Sequence, residues 1–223
     1  MALGRLIVFE GGEGAGKSTQ LARLTGRLAR AGIASQHFRE PGGTPVGDEI
    51  RRLLLDADGS MASRTEALLF MASRAELVAR VVRPALATGA LVLLDRFFLS
   101  TYAYQIHGRG LSGADVRAAN FVATEGLVPD LTVLLTIPAS VGLARAARRG
   151  GRDRIEQSGD GFHARVESAF AEFSTPAWQA QHAECGPIRS VDGSGSADAV
   201  EGLVCAALSS SFAELRDVLG AVA

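Results

Sequence analysis

Three short runs of the chain are almost unbroken in apolar character: Arg5–Glu10 (RLIVFE), Leu91–Asp95 (LVLLD) and Leu131–Ile137 (LTVLLTI). A strand with one solvated face alternates polar and apolar residues, so runs with little alternation predict parallel strands buried on both faces. Ser35–Glu40 (SQHFRE) and Ile188–Asp192 (IRSVD) have the same length but more polar positions and are weaker candidates of the same kind. Helix-length segments with spaced apolar residues lie between them, at Ser18–Ala31, Thr65–Thr88 and Phe162–Glu184. The alternation of strand and helix predicts a doubly wound α/β fold, whose ligands sit beyond the carboxyl ends of the strands. Glycine-rich or charged stretches at Glu40–Gly47, His107–Gly113, Arg148–Gly161 and around Asp192 read as functional loops, and there is no internal repeat. The last stretch, SSSFAELRDVLGAVA, reads as a serine linker and one terminal helix, which places a domain over 1–208 and a tail of unassigned function over 209–223.

Composition narrows the picture. With 223 residues, 47% of them hydrophobic, the chain supports one domain with a substantial core. Its 23 basic and 24 acidic residues give a net charge of −1, so nothing global draws it to nucleic acid or to an anionic membrane. A charged, strand-like segment begins within five residues of the start, and no apolar run approaches the roughly 18 residues needed to cross a bilayer; both point to a cytoplasmic protein. Cys185 and Cys205 lack CxxC spacing and the four histidines lack an HExxH pattern, so reduced thiols and no zinc site are expected.

The chemistry is concentrated in GGEGAGKS, Gly11–Ser18, which fits G-x-x-x-x-G-K-[ST] between an apolar strand and an amphipathic helix. Glycines let backbone amides turn toward phosphate oxygens, and the helix N-terminus adds partial positive charge. The binding set for a triphosphate is then Gly11, Gly12, Glu13, Gly14, Ala15, Gly16, Lys17, Ser18 and Thr19. Lys17 is the only lysine among the 23 basic residues. An enclosed loop suits a compact ammonium on a flexible stem, whereas a guanidinium is a broad planar fork. Ser18 is expected to ligate Mg²⁺, together with Asp95 at the end of an apolar strand.

With FEGGEGAGKSTQ, REPGGTPVGDEIRRLLLD, LLFMASRAELV, DRFFLSTYAYQ and RIEQ in that order, the chain resembles bacterial thymidylate kinases from about Leu6 to Leu208. The resemblance implies a P-loop NTPase-type, five-stranded parallel sheet flanked by helices on both faces, with a short arginine-rich lid at about 148–161. It also implies a homodimer and transfer of the ATP γ-phosphate to dTMP, giving dTDP. By similarity, Arg51 and Arg96 hold the acceptor phosphate beside Glu40 and Pro41, and a guanidinium fork suits that group. Phe70 and Arg74, spaced i,i+4 on one helical face, would stack on thymine and donate to a base carbonyl. Ser100, Thr101 and Gln105 would read the polar edge of the pyrimidine, Tyr104 would lie against the ribose, and Glu13 would contact the 3′-hydroxyl. The family divides by whether a catalytic arginine sits in the P-loop or in the lid. Gly14 occupies the P-loop position here, so Arg149, Arg154 and Arg152 become the candidate catalytic arginines, in a stretch that also holds Arg145 and Arg148.

A phosphate monoester is mostly dianionic at neutral pH, so its oxygen attacks without a general base. Catalysis is then positioning and charge neutralisation. One departure from the family pattern is DRFF, Asp95–Phe98, where DRY or DRH is usual; it is expected to remove a hydrogen bond near the acceptor phosphate. Two alternatives stay open: a kinase for another deoxynucleoside monophosphate, and a catalytically silent ATP-binding paralogue. One methyl group separates dTMP from dUMP, about 1–3 kcal/mol in an apolar pocket.

Overall fold

The computed structural model describes residues 4–55, 60–147 and 153–220. In chain order the elements are β1 (Arg5–Glu10), α1 (Lys17–Arg30), β2 (Ser35–Arg39), α2 (Pro45–Leu55), α3 (Ser63–Leu77), α4 (Arg83–Ala87), β3 (Leu91–Asp95), α5 (Phe98–Thr101), α6 (Gly113–Thr124), β4 (Leu131–Thr136), α7 (Ala139–Ala147), α8 (Asp160–Phe173), α9 (Pro176–Gln179), β5 (Ile188–Asp192), α10 (Ala197–Ser211) and α11 (Arg216–Leu219). The five strands form one parallel sheet in the order β2-β3-β1-β4-β5.

Burial explains which strands were plainest in the sequence. β1, β3 and β4 are the three inner strands and are buried on both faces, whereas β2 and β5 are the edges and keep exposed positions. Along β1 the side chains alternate between two cores. Leu6 and Val8 join the cluster that holds Leu77, Phe97, Tyr102 and Phe173, while Ile7 and Phe9 join Leu21, Leu28, Val204 and Leu208. Helices therefore cover both faces, and the strand ends at Glu10, Arg39 and Asp95 are brought side by side: Phe9 and Arg39 are both register partners of Asp95.

Two expected helices are interrupted. Thr65–Thr88 runs as α3, a π-helical turn over Val78–Val82 and then α4. Pro84 has no N–H for the preceding turn, and a widened turn ahead of it accommodates that missing bond. The Phe162–Glu184 segment breaks after Phe173, because Thr175 accepts a bond from the Trp178 N–H and Pro176 starts a new short helix. Ser209–Ser211 do not form a linker: they close α10, and the tail then folds back to bury Phe212, Leu215 and Leu219 in the second core. That packing has a measurable consequence. Phe212→Ala is expected to lower the unfolding free energy in urea by about 3 kcal/mol, and an unchanged transition midpoint would show the tail to be dispensable.

Candidate active site

The phosphate loop leaves β1 at Gly11 and enters α1 at Lys17. Gly11 has φ 138°, and a Cβ there would lie 2.3 Å from the Leu135 carbonyl oxygen. At Gly14, φ is 67° and a Cβ would meet the Gly142 carbonyl oxygen at 2.1 Å. This backbone therefore excludes any side chain at the position where other family members are expected to carry their arginine. Lys17 Nζ donates to the carbonyls of Gly11 and Gly12, both at 2.9 Å. Its pKa falls to about 8, mainly through burial and then through the nearby Arg96 charge, with Glu13 and Asp95 opposing. Next to it the Ser18 hydroxyl donates to Asp95 Oδ2 at 2.8 Å, so the two expected metal-binding oxygens are neighbours.

The acceptor side begins where β3 ends. Arg96 takes a left-handed backbone (φ 73°), held by its N–H on the Phe9 carbonyl at 2.9 Å. The turn aims the guanidinium back across the sheet edge, where it donates to the Gly11 carbonyl (3.2 Å), to Ser100 Oγ (2.9 Å) and to Glu13 Oε1. Burial opposes that charge, but Glu13, Tyr104 and Asp95 outweigh it and raise the pKa of Arg96. The Tyr104 hydroxyl donates to the same Glu13 oxygen at 2.9 Å, and its pKa is pushed up by burial and then by Glu13.

One cavity of about 320 Å³ joins the two sides. Its donor end is lined by Glu13, Gly14, Ala15, Gly16, Lys17, Ser18 and Thr19, with Asp95 and Arg96 between the ends. Glu40, Pro41, Arg51, Phe70, Arg74, Ser100, Thr101, Tyr104 and Gln105 line the rest. Gly11 and Gly12 stand behind this surface, where their carbonyls receive Lys17. Arg51 donates to the Pro41 carbonyl at 2.9 Å, and its pKa is lowered by burial and then by Arg39.

The expected base readers differ in what they have left to offer. Arg74 has all five N–H groups engaged: two on Glu40 Oε2, one on the Phe97 carbonyl, one on Thr101 Oγ1 and one on Asn120 Oδ1. Glu40 Oε1 is buried without a partner among the described residues, and burial raises the Glu40 pKa although Arg74 opposes it. The Ser100 hydroxyl donates to Glu10 Oε2 at 2.6 Å while accepting from Arg96. Phe70 remains half-buried with its ring in the cavity wall.

Other expected residues lie elsewhere. Arg148, Arg149 and Arg152 fall outside the described residues. Arg154 donates to Glu66 Oε2 (2.6 Å) and to the Leu54 carbonyl (2.8 Å), which ties it to α2 and α3 and leaves it out of the cavity lining. Arg145 donates to the carbonyls of Gly193 and Ser194. The Phe97 ring is fully buried with the Arg74 guanidinium 4.7 Å from its centre, so it sits beneath a cation and not in the cavity wall beside the acceptor phosphate.

Several contributors were missed in the sequence. Arg39, Asp153 and Glu156 also line the cavity. Arg39 stands directly before Glu40-Pro41 at a strand end, a position that could have marked it. Glu10, fully buried, accepts from the N–H groups of Phe97 (2.7 Å) and Ser100 (3.0 Å) and from the Ser100 hydroxyl. A carboxylate closing a strand buried on both faces must find donors, and that was the available signal.

Comparison with known proteins agrees with this geometry. The family model described as thymidylate kinase matches residues 9–185. Among curated relatives, a thymidylate kinase of Deinococcus radiodurans is 46% identical over 209 residues, covering 94% of this chain and 98% of its own length. One from Pseudomonas putida is 50% identical over 170 residues, 76% of this chain and 81% of that protein. The crystal structure of thymidylate kinase from Ehrlichia chaffeensis superposes with a TM-score of 0.71 at 26% identity, covering 93% of this chain and 98% of the other. A phosphate loop facing an arginine-bearing acceptor loop across one cavity, and likeness along nearly the whole chain, lead to the same conclusion: this chain belongs to the thymidylate kinase family.

Proposed function

We propose that the chain transfers the γ-phosphate of ATP to dTMP, giving dTDP, in the cavity between the phosphate loop and the α5 end of β3. One observation carries the reading: Lys17 and Arg96, the donor-side and acceptor-side cations, line the same cavity, so a triphosphate and a monophosphate held by them meet head to head. A protein that only senses ATP has no use for Arg96, Arg51 and Arg39 on the acceptor side. The relatives' shared name, thymidylate kinase, supports dTMP as the acceptor.

Each residue's task follows from its chemistry. Lys17 exchanges its carbonyl partners for phosphate oxygens of the donor. Arg96, Arg51 and Arg39 draw the acceptor phosphate into line, and Phe70 stacks on the base. Glu13 accepts from the sugar hydroxyl, and the bulk of Tyr104 leaves little room for a 2′-hydroxyl. Ser18 and Asp95 form a hard oxygen pair that fits Mg²⁺, which binds through one or two protein oxygens plus phosphates. The ion supplies neutralisation of phosphate charge when bound. Arg149, Arg152 and Arg154 remain the candidates for transition-state contacts. Arg154 would have to leave Glu66 to act there.

Among the described residues no helix is long and apolar enough to cross a membrane, which fits a cytoplasmic enzyme. Leu68 on α3 and Phe121 and Val122 on α6 are exposed apolar side chains, Val122 at 77%, and such surface fits a homodimer. Sedimentation equilibrium is expected to give twice the chain mass, and a monomer at all concentrations would count against it.

Two further measurements bear on the reaction. In a coupled ADP-release assay over a panel of nucleoside monophosphates, dTMP is expected to give the highest kcat/KM, and Lys17→Ala to lower it by roughly a thousandfold or more. Turnover only with another acceptor would favour a different substrate, and binding of ATP without turnover would favour a silent paralogue. The Lys17 pKa of about 8 also sets a sign. Phosphate oxygens favour the ammonium, so ATP binding near pH 8 takes up protons by linkage, and affinity weakens as pH rises further. Calorimetry in buffers of different ionisation enthalpy reads that uptake directly; heats independent of buffer would refute it.

A further inference from the structure

Asp153, Ile155 and Glu156 line the cavity, yet Arg154 between them does not. The turn that separates them is fixed locally: Asp153 Oδ1 accepts from the N–H groups of Ile155 (2.9 Å) and Glu156 (2.8 Å), and Ile155 joins the core cluster of Leu77, Phe97 and Tyr102. Arg154 therefore points the other way, toward the junction of α2 and α3. Its backbone N–H donates to the Leu55 carbonyl at 3.2 Å, its Nε to the Leu54 carbonyl at 2.8 Å and its Nη2 to Glu66 Oε2 at 2.6 Å.

Both partners sit at helix ends of the matching sign. Leu54 and Leu55 are the last two residues of α2, where carbonyls lack intrahelical partners and carry partial negative charge, and Glu66 lies in the first turn of α3, where the partial charge is positive. Glu66 is itself held fast. Arg109 donates to both its oxygens, Nε to Oε1 at 2.9 Å and Nη2 to Oε2 at 3.0 Å, and the Arg109 guanidinium lies 4.4 Å from the centre of the Phe162 ring. With the Glu66 side chain 1% exposed and that of Arg154 12%, solvent screens the pair little. Swinging Arg154 into the cavity would strip the Leu54 carbonyl of this donor and reverse the turn that Asp153 fixes.

The place of this clasp gives it a task. Arg51 on α2 lies one helical turn before Leu55, and Phe70 on α3 lies one turn after Glu66. Both line the cavity, so the clasp stands one turn behind the arginine assigned to the acceptor phosphate and the ring assigned to the base. We propose that Arg154 is a positioning residue for the acceptor: by tying the last carbonyls of α2 to Glu66 on α3, it fixes the span between Arg51 and Phe70, and with it the fit of a nucleoside monophosphate held at both ends. The inference rests on the kinase reading above and divides its arginines. Arg154 acts through α2 and α3, leaving Arg149 and Arg152 as the candidates for contact with the transferring group.

Arg154→Met keeps an apolar stem and removes the side-chain donors. Titration calorimetry is expected to show dTMP bound at least about tenfold more weakly, while ATP affinity and kcat at saturating dTMP change little. An arginine that touches the transferring phosphate predicts the opposite split, with kcat down by roughly a thousandfold and dTMP affinity kept, and that result overturns the proposal. So does unchanged dTMP binding, or equal weakening of dTMP and ATP, which marks a role in folding alone. Absence of dTMP turnover in the unsubstituted enzyme would instead overturn the kinase reading, and this inference with it. If circular dichroism shows the variant unfolded, a crystal structure of the unsubstituted protein with dTMP, ADP, Mg²⁺ and aluminium fluoride decides. Arg154 still bonded to Leu54 and Glu66 supports the proposal, and Arg154 on the fluoride overturns it.

Discussion

Five cations, Lys17, Arg39, Arg51, Arg74 and Arg96, line one cavity of about 320 Å³, and their mutual repulsion is the constraint around which the site is organised. The fold supplies acceptors for these charges. Carbonyls of the phosphate loop take Lys17, and the Pro41 carbonyl takes Arg51. Glu13, the Gly11 carbonyl and Ser100 take Arg96. The lowered pKa values of Lys17 and Arg51 come first from burial and then from the neighbouring charges of Arg96 and Arg39. A left-handed, non-glycine backbone at Arg96 costs about 1 kcal/mol or more and persists because both its N–H and its guanidinium are bonded. Phosphates can displace such partners with little rearrangement, which makes these cations a preorganised binding site.

Buried carboxylates in and behind this surface hold its side chains in place. Glu10 binds the start of α5 and the Ser100 hydroxyl, so the loop carrying Arg96 is referenced to the strand that launches the phosphate loop. Glu40 orients Arg74, which in turn buttresses the Phe97 carbonyl and Thr101. Glu66 binds Gln105, Arg109 and Arg154. Each buried carboxylate is accompanied by donors, as the cost of an isolated buried charge demands.

Much of this was legible in the chain. β1 and β3 have the limits read from the apolar runs, because a strand buried on both faces declares itself by composition alone, and the more polar edge strand β5 also has its expected limits. The cavity-facing residues were legible where a motif fixes them, as with Lys17, Asp95 and Arg96. Side-chain partnership was not. Spacing puts Phe70 and Arg74 on one helical face, but only the fold brings Glu40, Thr101 and Asn120 to Arg74 and consumes its donors. The same holds for Phe97, whose place beneath Arg74 explains how an apolar ring is accommodated there. The tail was misread because three consecutive serines resemble a linker locally, whereas burial of Phe212, Leu215 and Leu219 against α1 and α10 is a long-range effect.

That donor and acceptor share one chamber is open to a direct binding measurement. A bisubstrate compound, adenosine and thymidine joined through a polyphosphate chain, would occupy both ends at once and gain the effective concentration of a linked ligand. The account predicts that it binds at least about a hundredfold more tightly than either nucleotide alone and competes with both ATP and dTMP. Affinity no better than that of ATP, with dTMP still binding alongside, would contradict it.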